Sequence, residues 1–176
     1  LGFQVIDSLA KRFSLTLKKL NQAEVGQINI NYQPVVLAKP LTFMNLSGKA
    51  VSFLLSHFRL NPSQLLVVHD DLDLPLATLR FKTKGSAGGH LGLLSIIEAS
   101  GTDQFYRLRI GIGRPPGRKD PAKFVLENFT LKEEEQISVA IEQASDAVID
   151  FLQKGAAYAM NKYNVKGSNS LKEDKK

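Results

Sequence analysis

Cysteine is absent from all 176 residues, which excludes a disulfide framework, a thiolate metal site and a thiol nucleophile. No apolar run reaches the roughly 18–20 residues that a membrane-spanning helix needs, and no leader-like pattern opens the chain. No internal repeat is found, and no linker precedes the polar C-terminal tail. Histidine is scarce: His57, His69 and His90 are the only three. The expectation is one cytoplasmic domain, and its 43% apolar content suffices for a core without staples.

Charge is unevenly spread. Lysine and arginine exceed acids by 23 to 17, a formal +6, which favours a polyanionic partner. Lys166–Lys176 lacks a core face and reads as disordered, so its charges carry little weight. Between residues 80 and 123, Arg80, Lys82, Lys84, Arg107, Arg109, Arg114, Arg118, Lys119 and Lys123 are interrupted by few acids. That stretch suits phosphates.

Periodicity divides the chain into alternating elements. Phe3, Ile6, Leu9, Ala10 and Phe13 recur at helical spacing. Residues 23–31 and 34–38 read as strands joined by a turn at Asn31-Tyr32-Gln33. Residues 47–58 form a helix, and Leu65-Leu-Val-Val-His69 is a strand buried on both faces. Further strands are expected at 78–82 and 106–112, and helices at 92–99 and 130–154. Asp120-Pro121 opens a short helix to Glu127, an N-cap followed by proline at the first helical position. This order predicts an α/β fold: a single mixed, mostly parallel sheet with helices on both faces.

Three strand-to-helix junctions are polar, and such junctions gather ligand contacts at the carboxyl ends of strands. The first carries Phe43, Met44 and Asn45; the second is His69-Asp-Asp-Leu-Asp-Leu-Pro75; the third is the glycine-rich Gly85–Gly92 containing His90. Asp70 and its neighbour His69 point to opposite faces of a strand and so do not pair with each other. His69 reads as a core or supporting residue, and His57 as a surface one. His90 faces a ligand or is an ordinary turn histidine; the sequence favours neither. Asp71 reads as turn chemistry, whereas Asp70 is placed to orient a histidine or bind a cation. No matching ligands for a carboxylate metal site appear elsewhere. Gly85–Gly92 lacks the Walker lysine-serine pair and dinucleotide spacing, which argues against a nucleotide cofactor.

Taken in order, Pro40-Leu-Thr-Phe-Met-Asn-Leu-Ser-Gly48, His69–Pro75, Gly85-Ser-Ala-Gly-Gly-His90 and Arg107-Leu-Arg-Ile-Gly-Ile-Gly-Arg-Pro115 resemble the bacterial-type peptidyl-tRNA hydrolases. The likeness covers residues 1–163 as one domain, leaving 164–176 as the tail. It implies hydrolysis of the ester between a peptide and the 3′-terminal ribose of tRNA, by an enzyme that is mostly monomeric and needs no metal or organic cofactor. In that family a histidine acts as base on water, and the aspartate matching Asp70 keeps it basic. Residues matching Phe43, Asn45 and His90 lie at the substrate, and those matching Lys82 and Arg109 clamp the tRNA 5′-phosphate. The segment 114–129 resembles the family's mobile lid.

Two departures stand out. The family opens with a strand, a glycine-rich loop and Arg-His-Asn-x-Gly, of which Leu1-Gly2 match only the end. The base histidine therefore maps ahead of Leu1, and the expectation is an incomplete chain with little activity. Leu91 stands where the family has asparagine, and leucine can neither donate nor accept a hydrogen bond. A non-catalytic RNA-binding relative, like intron-splicing factors built on this fold, is the alternative reading.

Overall fold

The computed structural model describes residues 1–115, 124–125 and 128–164. Helix α1 (Gly2–Arg12) buries Val5, Leu9 and Ala10 on one face. Strands β1 (Lys18–Leu20), β2 (Ala23–Ile30) and β3 (Gln33–Pro40) follow, then α2 (Ser47–His57) and β4 (Leu66–Asp71). The chain continues through β5 (Leu79–Lys82), α3 (Leu91–Ser100), β6 (Tyr106–Gly111), α4 (Leu131–Lys154) and α5 (Ala156–Tyr163). Single 3-10 turns, Met44–Leu46 and Pro62–Gln64, precede α2 and β4.

The α/β class expected from the sequence is present, but the single, mostly parallel sheet is not. Two three-stranded sheets form instead, ordered β1-β2-β3 and β4-β6-β5. The first is an antiparallel meander, with Ala23 opposite Pro40 and Ile30 opposite Gln33. Its connections dictate this outcome. Asn31 and Tyr32 form a two-residue turn with φ of +50° and +63°, which closes an antiparallel hairpin and cannot accommodate a parallel crossover. In the second sheet β4 runs parallel to the central β6, and β5 lies antiparallel on its other side.

Helices cover both faces of that second sheet, as expected. Leu66 and Val68 of β4 pack into a core with Val5, Leu9, Leu108, Ile110, Ala144 and Val148, drawn from α1, β6 and α4. Leu65 and Val67, pointing the other way, join Val51, Leu93, Ile96 and Phe105 under α2 and α3. Alternation along one strand therefore serves two cores. Leu108 and Phe105 are almost fully buried, each contributing roughly 1.5–3 kcal/mol of apolar burial.

Thr130 caps α4 through a reciprocal box with Glu133. Gly155, at φ +86°, ends that helix, and α5 turns back toward β5. The buried Asp150 carboxylate fastens α5 to α4 by accepting from Lys154, Lys162 and the Tyr163 hydroxyl at 2.7–2.8 Å. The periodicity beyond Lys154 gave no warning of α5, and β1 is too short to read from pattern. The helix expected from Asp120 to Glu127, most of segment 114–129 and most of the tail lie outside the described residues.

Candidate active cleft

The last residues of β4 carry the site. His69 is buried, and its Nδ1 lies 2.7 Å from the Asp70 carbonyl oxygen. A carbonyl only accepts, so Nδ1 holds the proton and Nε2 is the bare nitrogen. That Nε2 is buried without a hydrogen-bond partner. His90 meets the same ring edge to face, with centroids 4.9 Å apart. Burial, reinforced by the nearby His90, pushes the His69 imidazole down to about 4, so it is neutral near pH 7.

His90 resolves into the N-cap of α3. Its Nδ1 accepts from the backbone N–H groups of Gly92 and Leu93 at 3.1 and 3.2 Å, which leaves Nε2 as its donor. The turn reading and the ligand-facing reading are thus compatible, since His90 also lines a groove of about 190 Å³ with Leu1, Met44, His69 and Asp70. An adjoining cleft of about 340 Å³ is lined by Leu1, Gln4, Asp70, Phe124, Phe129 and Glu133. Asp70 belongs to both. Among the described residues, no hydrogen bond or ion pair engages its carboxylate.

Two close contacts bring the other turns to this place. A Cβ on Gly48 would stand 2.0 Å from the Ser95 carbonyl oxygen, while the Gly48 N–H donates to Ser95 Oγ at 3.0 Å. The start of α2 is thereby locked to α3. A Cβ on Gly92 would stand 2.6 Å from Met44 Sδ, so the turn holding Asn45 rests on the turn holding His90. Asn45, Phe43 and Leu91 are exposed beside the groove rather than buried in it. Gly2 pins the opposite wall: a Cβ there would lie 2.2 Å from the Val68 carbonyl oxygen. This keeps Leu1 against the end of β4.

The basic residues form a row on the same sheet face as His69. His69 pairs in register with Arg109, Arg109 with Arg80, and Arg107 with Lys82. Like charges directly opposite one another are unfavourable, and only part of this row is compensated. Arg109 Nε donates to Asp71 Oδ2 at 2.6 Å, both side chains being largely buried. Burial raises the Asp71 carboxyl, but hydrogen bonds from Arg109 and the Asp73 amide outweigh that and hold it below its ordinary value. Asp71 is thus both a turn residue and the counter-ion of Arg109. Asp73 pairs with Arg114. Lys82 is exposed, and the Arg80 Nε is buried without a partner.

Arg107 is a site residue the sequence reading did not single out. It is 2% exposed, donates to the Ser86 carbonyl at 2.8 Å and to that of Gly85, and stacks over Phe105. It therefore fixes the loop that leads to His90. The alternation Arg107-Leu-Arg109 was the available signal, since it puts both guanidinium groups on one strand face. His57 is exposed, as expected.

Together these features describe an α/β protein with a polar cleft at the carboxyl end of β4 beside a cationic sheet face, and the comparisons say which one. The model of the peptidyl-tRNA hydrolase family matches residues 1–173. The peptidyl-tRNA hydrolase of Chloroflexus aurantiacus is 46% identical over 166 residues, covering 93% of this chain and 88% of that protein. That of Mycobacterium tuberculosis is 46% identical over 164 residues, covering 92% and 86%. A solved peptidyl-tRNA hydrolase from Acinetobacter baumannii superposes with a TM-score of 0.86 at 33% identity, covering 93% and 84%. This chain belongs to the peptidyl-tRNA hydrolase family.

Proposed function

We propose that this protein hydrolyses the ester joining a peptide to the 3′-terminal ribose of tRNA, releasing the peptide acid and a tRNA fit for reuse. The observation that carries the reading is the unengaged Asp70 carboxylate at the carboxyl end of β4, shared by two clefts and bordered by the His90 and Met44 turns. Such a carboxylate holds an imidazole in its basic tautomer and stabilises the imidazolium formed when water is deprotonated. In the family that the resemblance names, that imidazole is a histidine's, and here Leu1 lines both clefts beside Asp70.

The remaining roles follow from position. Water, activated by the histidine, adds to the ester carbonyl, and the ribose oxygen leaves with the proton. The His90 Nε2–H and the Asn45 carboxamide are donors at the groove for the carbonyl or its flanking groups. Phe43 offers an exposed ring to the terminal adenosine or the peptide. Lys82 and Arg109 hold the tRNA 5′-phosphate, within a row that also contains Arg80 and Arg107. A polyanion compensates this row better than the single Asp71 pair does.

Cytoplasmic residence fits a substrate produced by translation. Among the described residues no helix is long and apolar enough to cross a membrane. A monomer suffices, because all the groups named belong to one chain. The non-catalytic RNA-binding alternative is not favoured: it gives no role to the free Asp70 carboxylate, and the relatives carry the hydrolase name. The test is a comparison of N-acetyl-aminoacyl-tRNA with free aminoacyl-tRNA. Release of tRNA from the first and sparing of the second supports the reading; salt-dependent RNA binding without ester cleavage would support the alternative.

A further inference from the structure

Side-chain contacts and strand register connect one end of the site to the other in a single row. Met44 rests on Gly92, and His90 beside it meets His69 edge to face. His69 stands in register with Arg109, and Arg109 with Arg80. Polarity changes steadily along this row. At one end Phe43 is 82% exposed, Leu91 58% and Met44 49%, three large apolar side chains on two adjacent turns. At the other end are the exposed Lys82 and the half-buried Arg80 and Arg109, whereas the buried Arg107 is taken up by the Gly85 and Ser86 carbonyls. Between them lie the two imidazoles, with Asp70 at the adjoining end of β4.

Met44 lines the groove, Phe43 adjoins it in sequence, and Leu91 lies between His90 and Gly92, which also line it; exposed apolar side chains bordering a cleft mark a binding surface. The substrate class proposed above has two unlike ends, a polyanionic nucleic acid and an acyl chain. Charge complementarity leaves one orientation: phosphates over β5 and β6, acyl chain over the Met44 and Leu91 turns. Leu91 occupies the first position of α3, and Leu94, one turn on and 44% exposed, extends the apolar surface along the same helix face. We infer that Leu91, with Met44 and Phe43, seats the amino-acid side chain next to the ester and gives this protein a preference for apolar residues there.

The inference rests on the peptidyl-tRNA reading and sharpens it at the acyl end. Burying a leucyl side chain against such a seat is worth roughly 10-fold or more in discrimination. The probes are non-cleavable conjugates: a 3′-amino acceptor-stem RNA joined by an amide to N-acetyl-leucine or N-acetyl-serine. Affinities are read by fluorescence anisotropy with the full chain, so turnover is not needed. The wild type is expected to favour the leucyl conjugate by about 10-fold, and Leu91→Asn to bring that ratio within about twofold with an unchanged urea midpoint. A wild-type ratio near one, or a ratio that persists in Leu91→Asn, overturns the inference while RNA binding stands. Failure of the unacylated RNA to bind at low salt overturns the tRNA reading, and the Leu91 inference falls with it.

Discussion

His69 and His90 touch edge to face while holding their protons in opposite senses, His69 on Nδ1 and His90 on Nε2. The first is fixed by a backbone carbonyl of the next residue, the second by the amides of a helix start. A neutral, buried imidazole with a bare Nε2 is thus built into the wall of the groove. Its refusal to take a proton has a thermodynamic consequence.

Between pH 6.5, the ordinary histidine value, and about 4, the value for His69, the unfolded chain binds a proton that the folded chain excludes. Stability from this group is complete above about pH 6.5 and is lost as pH falls toward 4, ~3 kcal/mol in all. Urea unfolding at pH 7 and pH 4.5 should show the wild type losing more stability than His69→Gln on acidification. Parallel losses in the two proteins would contradict the assigned burial.

Asp71 compensates Arg109 inside a row of cations. Replacing it by asparagine keeps the turn acceptor for the Asp73 amide but leaves a largely buried guanidinium without its counter-ion. A loss of ~1–3 kcal/mol is expected in urea unfolding, together with tighter RNA binding at low salt because a repelling charge is gone. A variant of unchanged stability would show that the 2.6 Å pair contributes nothing net.

Lys82 is exposed and, among the described residues, has no such partner, so its contribution should be to phosphate binding. Lys82→Ala is expected to reduce the slope of log affinity against log salt by about one and to leave the urea midpoint within error. An unchanged slope would remove Lys82 from the phosphate contacts.

Gly2 is required by contact rather than by φ. A methyl group there meets the Val68 carbonyl oxygen at 2.2 Å, so Gly2→Ala must push α1 off the end of β4. A cost of ~1–3 kcal/mol is expected. Activity should fall further than stability alone explains, because Leu1 is displaced from Asp70. Retained stability and turnover would mean that α1 tolerates the shift.

Much of this was legible in the sequence because local and tertiary demands agree. The Asn31-Tyr32 turn, the Ser47 helix start and the long helix ending at Lys154 all sit where the residue pattern put them. Asp70 was separable from His69 by strand alternation alone. What was not legible depends on long-range choices. A continuous apolar run at residues 65–69 announces a doubly covered strand but not its neighbours, so the division into two sheets was hidden. The pairing of Asp71 with Arg109 spans 38 residues, and nothing in either motif identifies the partner. Arg107 looked like part of a basic surface; only its carbonyl contacts show that it anchors the His90 loop. The α5 helix depends on Asp150 gathering two lysines and a tyrosine, a cluster with no periodic signature.

The most direct measurement of the central claim is the effect of Asp70→Asn on steady-state release of tRNA from N-acetyl-aminoacyl-tRNA. If the carboxylate keeps the histidine basic and oriented, kcat falls by ~10²–10⁴-fold. KM then stays within about threefold. A variant that retains wild-type kcat would contradict the account and return Asp70 to the ranks of ordinary turn residues.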